Sequence, residues 1–330
     1  MFPGANRRDF LQILLGSATA LSWSELVRGA SAQGAPSTGG GASRSAGPAA
    51  VPPAPLTVTR LGLNLLLIAG APGNVVVATG PDGSVMVNGG QASRSAELLA
   101  LVARETGGAR VQTLLNTDWH PDHTGSNELL AAAGAAILAH EHTKQYLGTE
   151  IHADWQARTY KPRPPQAWPT KTFYSKGAMT AGAESLEYGH LGQAHTDGDI
   201  YAFFRQSNVL VAGDVLSVGA YPIADYTTGG WIGGLATATK TLIDLSNAET
   251  RVVPGAGPIQ TRADLQAQFE MLSTLRDRFH KMMRQGMGAD DMIAEGATTE
   301  FDARWGSPKL FVSTTYRGLW LHVREIGGVV

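Results

Sequence analysis

The chain has 330 residues, 43% of them hydrophobic, with 26 Lys and Arg against 28 Asp and Glu. That length and apolar content suffice for a substantial core, and the near-balanced charge gives no electrostatic reason to invoke nucleic acid or an anionic membrane surface. There is no cysteine, which excludes disulfides, thiolate metal sites and cysteine nucleophiles, so any metal must be held by His, Asp, Glu or water.

In chain order, Arg7 and Arg8 precede an apolar run to Trp23, and Ala30, Ser31 and Ala32 supply small residues for cleavage. The pattern resembles a twin-arginine export signal over residues 1–32, a route that moves folded proteins, and it implies a periplasmic or secreted protein. The run is too short and too rich in Ser and Gly to predict a stable membrane insertion once the signal is removed. Residues 33–55 are Ala, Gly, Ser and Pro almost throughout and are expected to form a flexible linker. A single domain with a C-terminal helical extension is expected over 56–330.

Apolar runs at 57–68, 75–79 and 85–88, separated by Gly-Ala-Pro-Gly-Asn and Gly-Pro-Asp-Gly, predict an antiparallel meander. Leu98, Leu99, Leu101 and Val102 give residues 93–106 a helical period, and a buried strand follows at 111–116. After a polar loop, a helix opens with Ser126 or Asn127 as N-cap, followed by a strand at 136–139 and a helix from about His140. Residues 161–169 are Pro-rich and predict a surface loop. Strands are expected at 185–190, 200–204 and 209–212, then a helix at 232–245, a strand at 251–253 and a long helix from 263 to about 285. Strands and helices given twice predict two packed sheets with helices outside.

The polar loop carries the chemistry. Residues 116–127 read Asn-Thr-Asp-Trp-His-Pro-Asp-His-Thr-Gly-Ser-Asn, placing Asp118, His120, Asp122 and His123 together at the carboxyl end of a strand. Two imidazoles and two carboxylates within six residues are costly to bury unless a cation neutralises and orders them. The second half adds His195, in a loop before the strand at 200–204, and Asp214, which follows Gly213 at a strand end.

With these residues in this order the chain resembles the metallo-β-lactamase superfamily, from Leu56 to about Gln285. The family pattern is His-x-His-x-Asp-His, a distant His, a bridging Asp after Gly, and a final His in Pro-Gly-His-Gly. His120, Asp122, His123, His195 and Asp214 match it, whereas Asp118 stands in place of the first His and Ala256 in place of the last. The resemblance implies an α+β fold, the αββα four-layer sandwich of two mixed β-sheets flanked by helices. It also implies a metal-dependent hydrolase, zinc the leading metal, in which a metal-bound hydroxide attacks an ester, thioester, lactone or amide carbonyl of a small-molecule substrate.

On that pattern one tightly bound ion would be ligated by Asp118, His120, His195 and Asp214, and a second site, left with Asp122, His123 and the shared Asp214, would be weak or empty. Asp122 is the candidate general base where it does not ligate. Two other readings stand beside this one. The set His120, His195 and Asp214 suits mononuclear non-haem Fe²⁺, as in the superfamily's persulfide dioxygenases. The altered ligands also suit a non-catalytic member that binds metal or ligand. Among the other histidines, a capping or surface role is expected for His140 and His142, and either a ligand-orienting or a plain strand role for His190. Thr196, Asp197 and Asp199 are expected to shape the His195 loop by hydrogen bonding, and the aromatics of 221–231 to line the pocket or join the core.

Overall fold

The computed structural model describes residues 54–322. The export signal predicted at 1–32 and all but the end of the predicted linker lie outside the described residues. The first part of the domain contains β1 (Thr57–Arg60), β2 (Leu65–Ala69), β3 (Val75–Gly80), β4 (Gly83–Val87), α1 (Ser95–Glu105), β5 (Val111–Leu115), α2 (Pro121–Thr124), α3 (Asn127–Ala132), β6 (Ala136–His140) and α4 (Glu141–Leu147). A hairpin of β7 (Ile151–Ala153) and β8 (Arg158–Tyr160) follows, then β9 (Lys171–Phe173). The second part contains β10 (Lys176–Ala181), β11 (Glu184–His190), β12 (Ile200–Phe204), β13 (Val209–Gly213), α5 (Ile232–Leu245), β14 (Arg251–Pro254) and α6 (Arg262–Arg284). Three helices end it, α7 (Ala289–Ala294), α8 (Thr299–Trp305) and α9 (Lys309–Leu321).

Two mixed sheets form, seven strands in the order β1-β2-β3-β4-β5-β6-β9 and five in the order β10-β11-β12-β13-β14. Alternation along each strand separates the layers, because successive side chains point to opposite faces. Leu65, Leu67, Val76, Ala78, Val85, Val87 and Leu115 meet Leu186, Ala202, Phe204, Val209, Val211 and Val253 between the sheets. The intervening Leu66, Ile68, Val75, Val77, Met86 and Leu114 pack against Leu98, Leu101 and Val102 of α1 and Leu130 of α3. On the far side Tyr201, Phe203, Leu210 and Val252 pack against α5, α6 and α9. The result is the four-layer αββα arrangement that the resemblance implies.

Three local expectations change. The apolar run 57–68 is two strands, not one: it turns at 61–64 so that Thr57 pairs with Ala69 and Arg60 with Leu66. The loop of candidate ligands contains a helix of its own, α2, with His120 at its N-cap and Pro121 at the first position, where a missing N–H costs nothing. Neither Ser126 nor Asn127 caps α3 by its side chain. Ser126 Oγ instead bonds Ser95 Oγ at 2.9 Å, and Asn127 Nδ2 donates to Asn116 Oδ1 at 2.9 Å.

Candidate metal centre

The centre lies at the carboxyl ends of β5 and β13, where the two sheets meet. Asn116, just past β5, fixes the first loop: its Nδ2 donates to His123 O at 3.0 Å and Asn127 Oδ1 at 3.1 Å. Thr117 donates from N and Oγ1 to Asn88 Oδ1. Asp118 Oδ1 accepts the His120 backbone N–H at 2.7 Å, so the carboxylate is held by the residue it precedes. In the second half, Asp199 holds the His195 loop, accepting from the backbone N–H of His195 and Thr196 and from Thr196 Oγ1. Asp214 follows a register shift between Val211 and Gly213 in the β13–β14 pairing. Gly255 must be glycine beside it, because a Cβ there would sit 1.8 Å from Asp214 Oδ1.

These loops bring six predicted residues into one buried cluster. Asp118, His120, Asp122, His123 and His195 are each buried, and Asp214 keeps 18% of its side chain exposed, making it the opening to solvent. His120 Nδ1 lies 3.2 Å from His195 Nε2, and His195 Nε2 lies 3.5 Å from Asp214 Oδ2. His123 Nε2 lies 3.1 Å from Asp214 Oδ1 and 3.5 Å from Asp118 Oδ2. Two sets therefore offer atoms within 4.8 Å of one another: His120, His195 and Asp214, and Asp118, His123 and Asp214. The grouping differs from the expected one. Asp118 gathers with His123 because its other oxygen is tied to the His120 N–H, and Asp122 stands outside both sets.

The donor atoms suit a cation. Both ring nitrogens of His123 and Asp122 Oδ2 are buried without a hydrogen-bond partner, the condition a bound ion would relieve. Burial pushes the Asp118 and Asp214 carboxyls up, but the histidines around them outweigh it and hold both below the usual range. Burial opposes charge on His123 too, yet the carboxylates of Asp118, Asp214 and Asp122 raise it to about 10. Burial raises Asp122, and the neighbouring carboxylates add to it. A protonated His123 imidazole offsets part of the carboxylate charge, and that proton must leave before the nitrogen can ligate.

Two supports were not legible as such in the sequence. Asp225, fully buried, faces His120 Nε2 with Oδ2 at 3.5 Å, while the ring's Nδ1 faces His195. It is held in place by Thr228 Oγ1 at 2.8 Å and by Trp155 Nε1 at 2.8 Å, an indole supplied by the turn between β7 and β8. An Asp followed by Tyr-Thr-Thr signals a turn, and its side chain does accept from the Thr227 N–H, but no local pattern aims the other oxygen at a distant histidine. His195 is oriented likewise, its Nδ1 2.7 Å from Ile223 O. Trp119 stacks on His120 with centroids 4.3 Å apart.

The remaining histidines do not join the centre. His140 caps α4 and stacks on His190 at 3.8 Å, with its titration pushed down to about 4 by burial and by the neighbouring histidines. His190 Nε2 bonds Asp197 O at 2.8 Å and touches no candidate ligand. Tyr221 is core: it is buried, stacks on Phe311 and donates to Asp302 Oδ1 at 2.8 Å. His322 stacks on Trp231, and His152 is exposed.

Residues 68–256 match the family model described as the metallo-beta-lactamase superfamily, more than half of the chain. No curated protein matches the chain. Among solved structures, a metallo-beta-lactamase from Pontibacter korlensis superposes with TM-score 0.55 at 19% identity, covering 66% of this chain and 99% of its own. The DIM-1 metallo-beta-lactamase superposes with TM-score 0.53 at 17% identity, covering 66% and 97%. VMB-1 gives TM-score 0.53 at 16% identity, covering 66% and 96%. At these identities the likeness shows the fold alone.

Proposed function

This chain belongs to the metallo-beta-lactamase superfamily, and from that premise we propose that it is a metal-dependent hydrolase of a small molecule carrying an ester, thioester, lactone or amide carbonyl. The observation that carries the reading is the convergence of His120 Nδ1, His195 Nε2 and Asp214 in a buried cluster whose only partly exposed member is Asp214. Two imidazoles and a carboxylate suit zinc and also iron. A divalent ion held there supplies a Lewis acid and a water of lowered pKa.

The chain's own residues divide the rest of the work. Ile223 O and Asp225 lie against the outer nitrogens of His195 and His120, leaving the inner lone pairs for ligation. Asp122 would be the general base that takes a proton from the attacking water, a role supported by its buried, unpartnered Oδ2 and by a carboxyl raised by burial. Substrate choice is assigned to the segments 147–184 and 217–231, which supply Trp155 and Asp225 beside the cluster.

The test is hydrolysis of a panel of aryl esters, thioesters and lactones by the purified chain, with zinc and with ferrous iron, beside His120→Ala and His195→Ala. Metal-dependent turnover that both variants reduce by about 10²-fold or more is expected, as for the loss of groups that stabilise the transition state. Turnover untouched by either variant would sink the reading. A second reading has one observation in its favour. His120, His195 and Asp214 converge as a two-histidine, one-carboxylate set that leaves positions open, and Asp118 is outside that set although its Oδ1 lies 3.2 Å from His120 Nδ1. Stoichiometric iron with oxygen consumption would favour that oxygenase chemistry over hydrolysis.

A further inference from the structure

We propose that Asp118 is a ligand of a second metal ion, held together with His123 and Asp214, and that it replaces the imidazole missing at Ala256. The proposal rests on the metal-centre reading above and goes beyond it. The two departures from the family pattern become one rearrangement: a carboxylate gained at 118 offsets a histidine lost at 256.

Geometry carries the assignment. Asp118, His123 and Asp214 each offer one atom within 4.8 Å of the others, whereas Asp118 does not join His120, His195 and Asp214 in such a set. The carboxylate is split between two tasks. Oδ1 accepts the His120 N–H at 2.7 Å and lies 3.2 Å from His120 Nδ1. Oδ2 is turned the other way, 3.5 Å from His123 Nε2. That nitrogen is buried and has no hydrogen-bond partner, and Asp214 Oδ1 approaches it at 3.1 Å. Asp214 thus reaches both sets, with Oδ2 towards His195 and Oδ1 towards His123.

Charge points the same way. Asp118, Asp122 and Asp214 are three carboxylates in one cluster, two of them buried. With the imidazoles neutral and ligating, one divalent ion leaves that cluster negative, and a second reverses the balance; buried charge of one sign is strongly disfavoured without such compensation. The backbone at the altered position is packed as if nothing else were needed. Asn74 Nδ2 clamps it by donating to Pro254 O at 3.0 Å and Gly257 O at 2.9 Å, and Asn74 N donates to Gly255 O. Ala256 itself is partly exposed.

The experiment counts metals. The full chain is stripped of metal, freed of chelator and titrated with zinc against a chromophoric competitor, with bound zinc per chain measured by elemental mass spectrometry. Two ions per chain are expected. Asp118→Asn, which keeps the oxygen that accepts the His120 N–H, should hold one, its second step weakened by at least about 10- to 100-fold, the loss that even an outer partner of a ligand can cause. Asp122→Asn should still hold two, and Asp118→Asn combined with Ala256→His should regain the second.

A native chain that saturates at one zinc overturns the proposal, and so does an Asp118→Asn chain that binds two as tightly as the native. Loss of the second ion in Asp122→Asn instead would reassign the ligand and overturn it equally. If Asp118→Asn does not fold, the native titration still decides between one ion and two, and Asp122→Asn still decides which carboxylate holds the second. A chain that binds two ions and hydrolyses nothing would remove the hydrolase reading and leave this assignment standing, while turnover with a single bound ion would do the reverse.

Discussion

At the residue scale, the candidate ligands are themselves held by neighbouring side-chain and backbone groups. Asp225 faces the outer nitrogen of His120 and is itself anchored by Thr228 and Trp155. Removing such a partner leaves the ring free to turn and to take the wrong tautomer, so Asp225→Ala should weaken zinc binding by about 10- to 100-fold without removing any ligand. Competitive zinc titration reads this directly, and an unchanged affinity would mean that Trp119 stacking alone orients the ring. His123 gives a second outcome. Its folded titration point, raised to about 10 by Asp118, Asp214 and Asp122 against the effect of burial, lies above the unfolded value. The stabilisation from its charged form is therefore fully present below about pH 6.5 and is lost as pH rises towards 10. Urea midpoints of the metal-free protein should fall across that window, and a chain with His123→Gln should lose that slope.

At the element scale, strand alternation did most of the sorting. Phe204, at the end of β12, is fully buried between the sheets while Phe203 beside it faces α5 and α6. Phe204→Ala should cost about 3–5 kcal/mol, the range for an aromatic truncation in a closed core, measurable by denaturant unfolding. Elements that alternate or repeat clearly were legible: α1, β5, β11, β12, β13, α5 and α6 fall within a residue or two of expectation. The hairpin of β7 and β8 was not. Its strands are three residues each, β7 with Ile151 and Ala153 buried around an exposed His152 and β8 with no buried residue, too short for a period to announce them. Yet the turn between them supplies Trp155 to Asp225. Likewise α2 was hidden because two of its four residues, Asp122 and His123, read as metal ligands, although Pro121 behind a capping position was the available signal.

At the scale of the whole molecule, the C-terminal helices brace the loop that follows Asp214. Tyr221 donates to Asp302 of α8, and Trp231 stacks on His322 just past α9. Gly318 of α9 packs against Gly230 with room for no more than a tight contact, 3.4 Å from an added Cβ to Gly230 O. The extension thus stiffens the segment that carries Ile223 and Asp225. We further propose that the protein is exported folded by the twin-arginine route to the periplasm or beyond, on the strength of Arg7, Arg8 and the apolar run after them. Replacing both arginines with lysine should retain the protein in the cytoplasm, as fractionation would show; export unaffected by the change would refute the route.

Residue types, their order and strand periodicity were enough to read the family, the four layers and the ligand candidates, because alternation and motif spacing are local properties of the chain. Which candidates lie together was decided only in three dimensions. Asp118 and His120 are neighbours in sequence, but the carboxylate turns to His123 and Asp214 because the His120 N–H holds its other oxygen. Asp225 and Trp155 reach the centre from separate segments, brought together by packing between loops whose sequences carry no periodicity. Local pattern specifies which face a side chain takes. The partner that an oxygen or a ring nitrogen meets across the cluster is set by the docking of the two sheets.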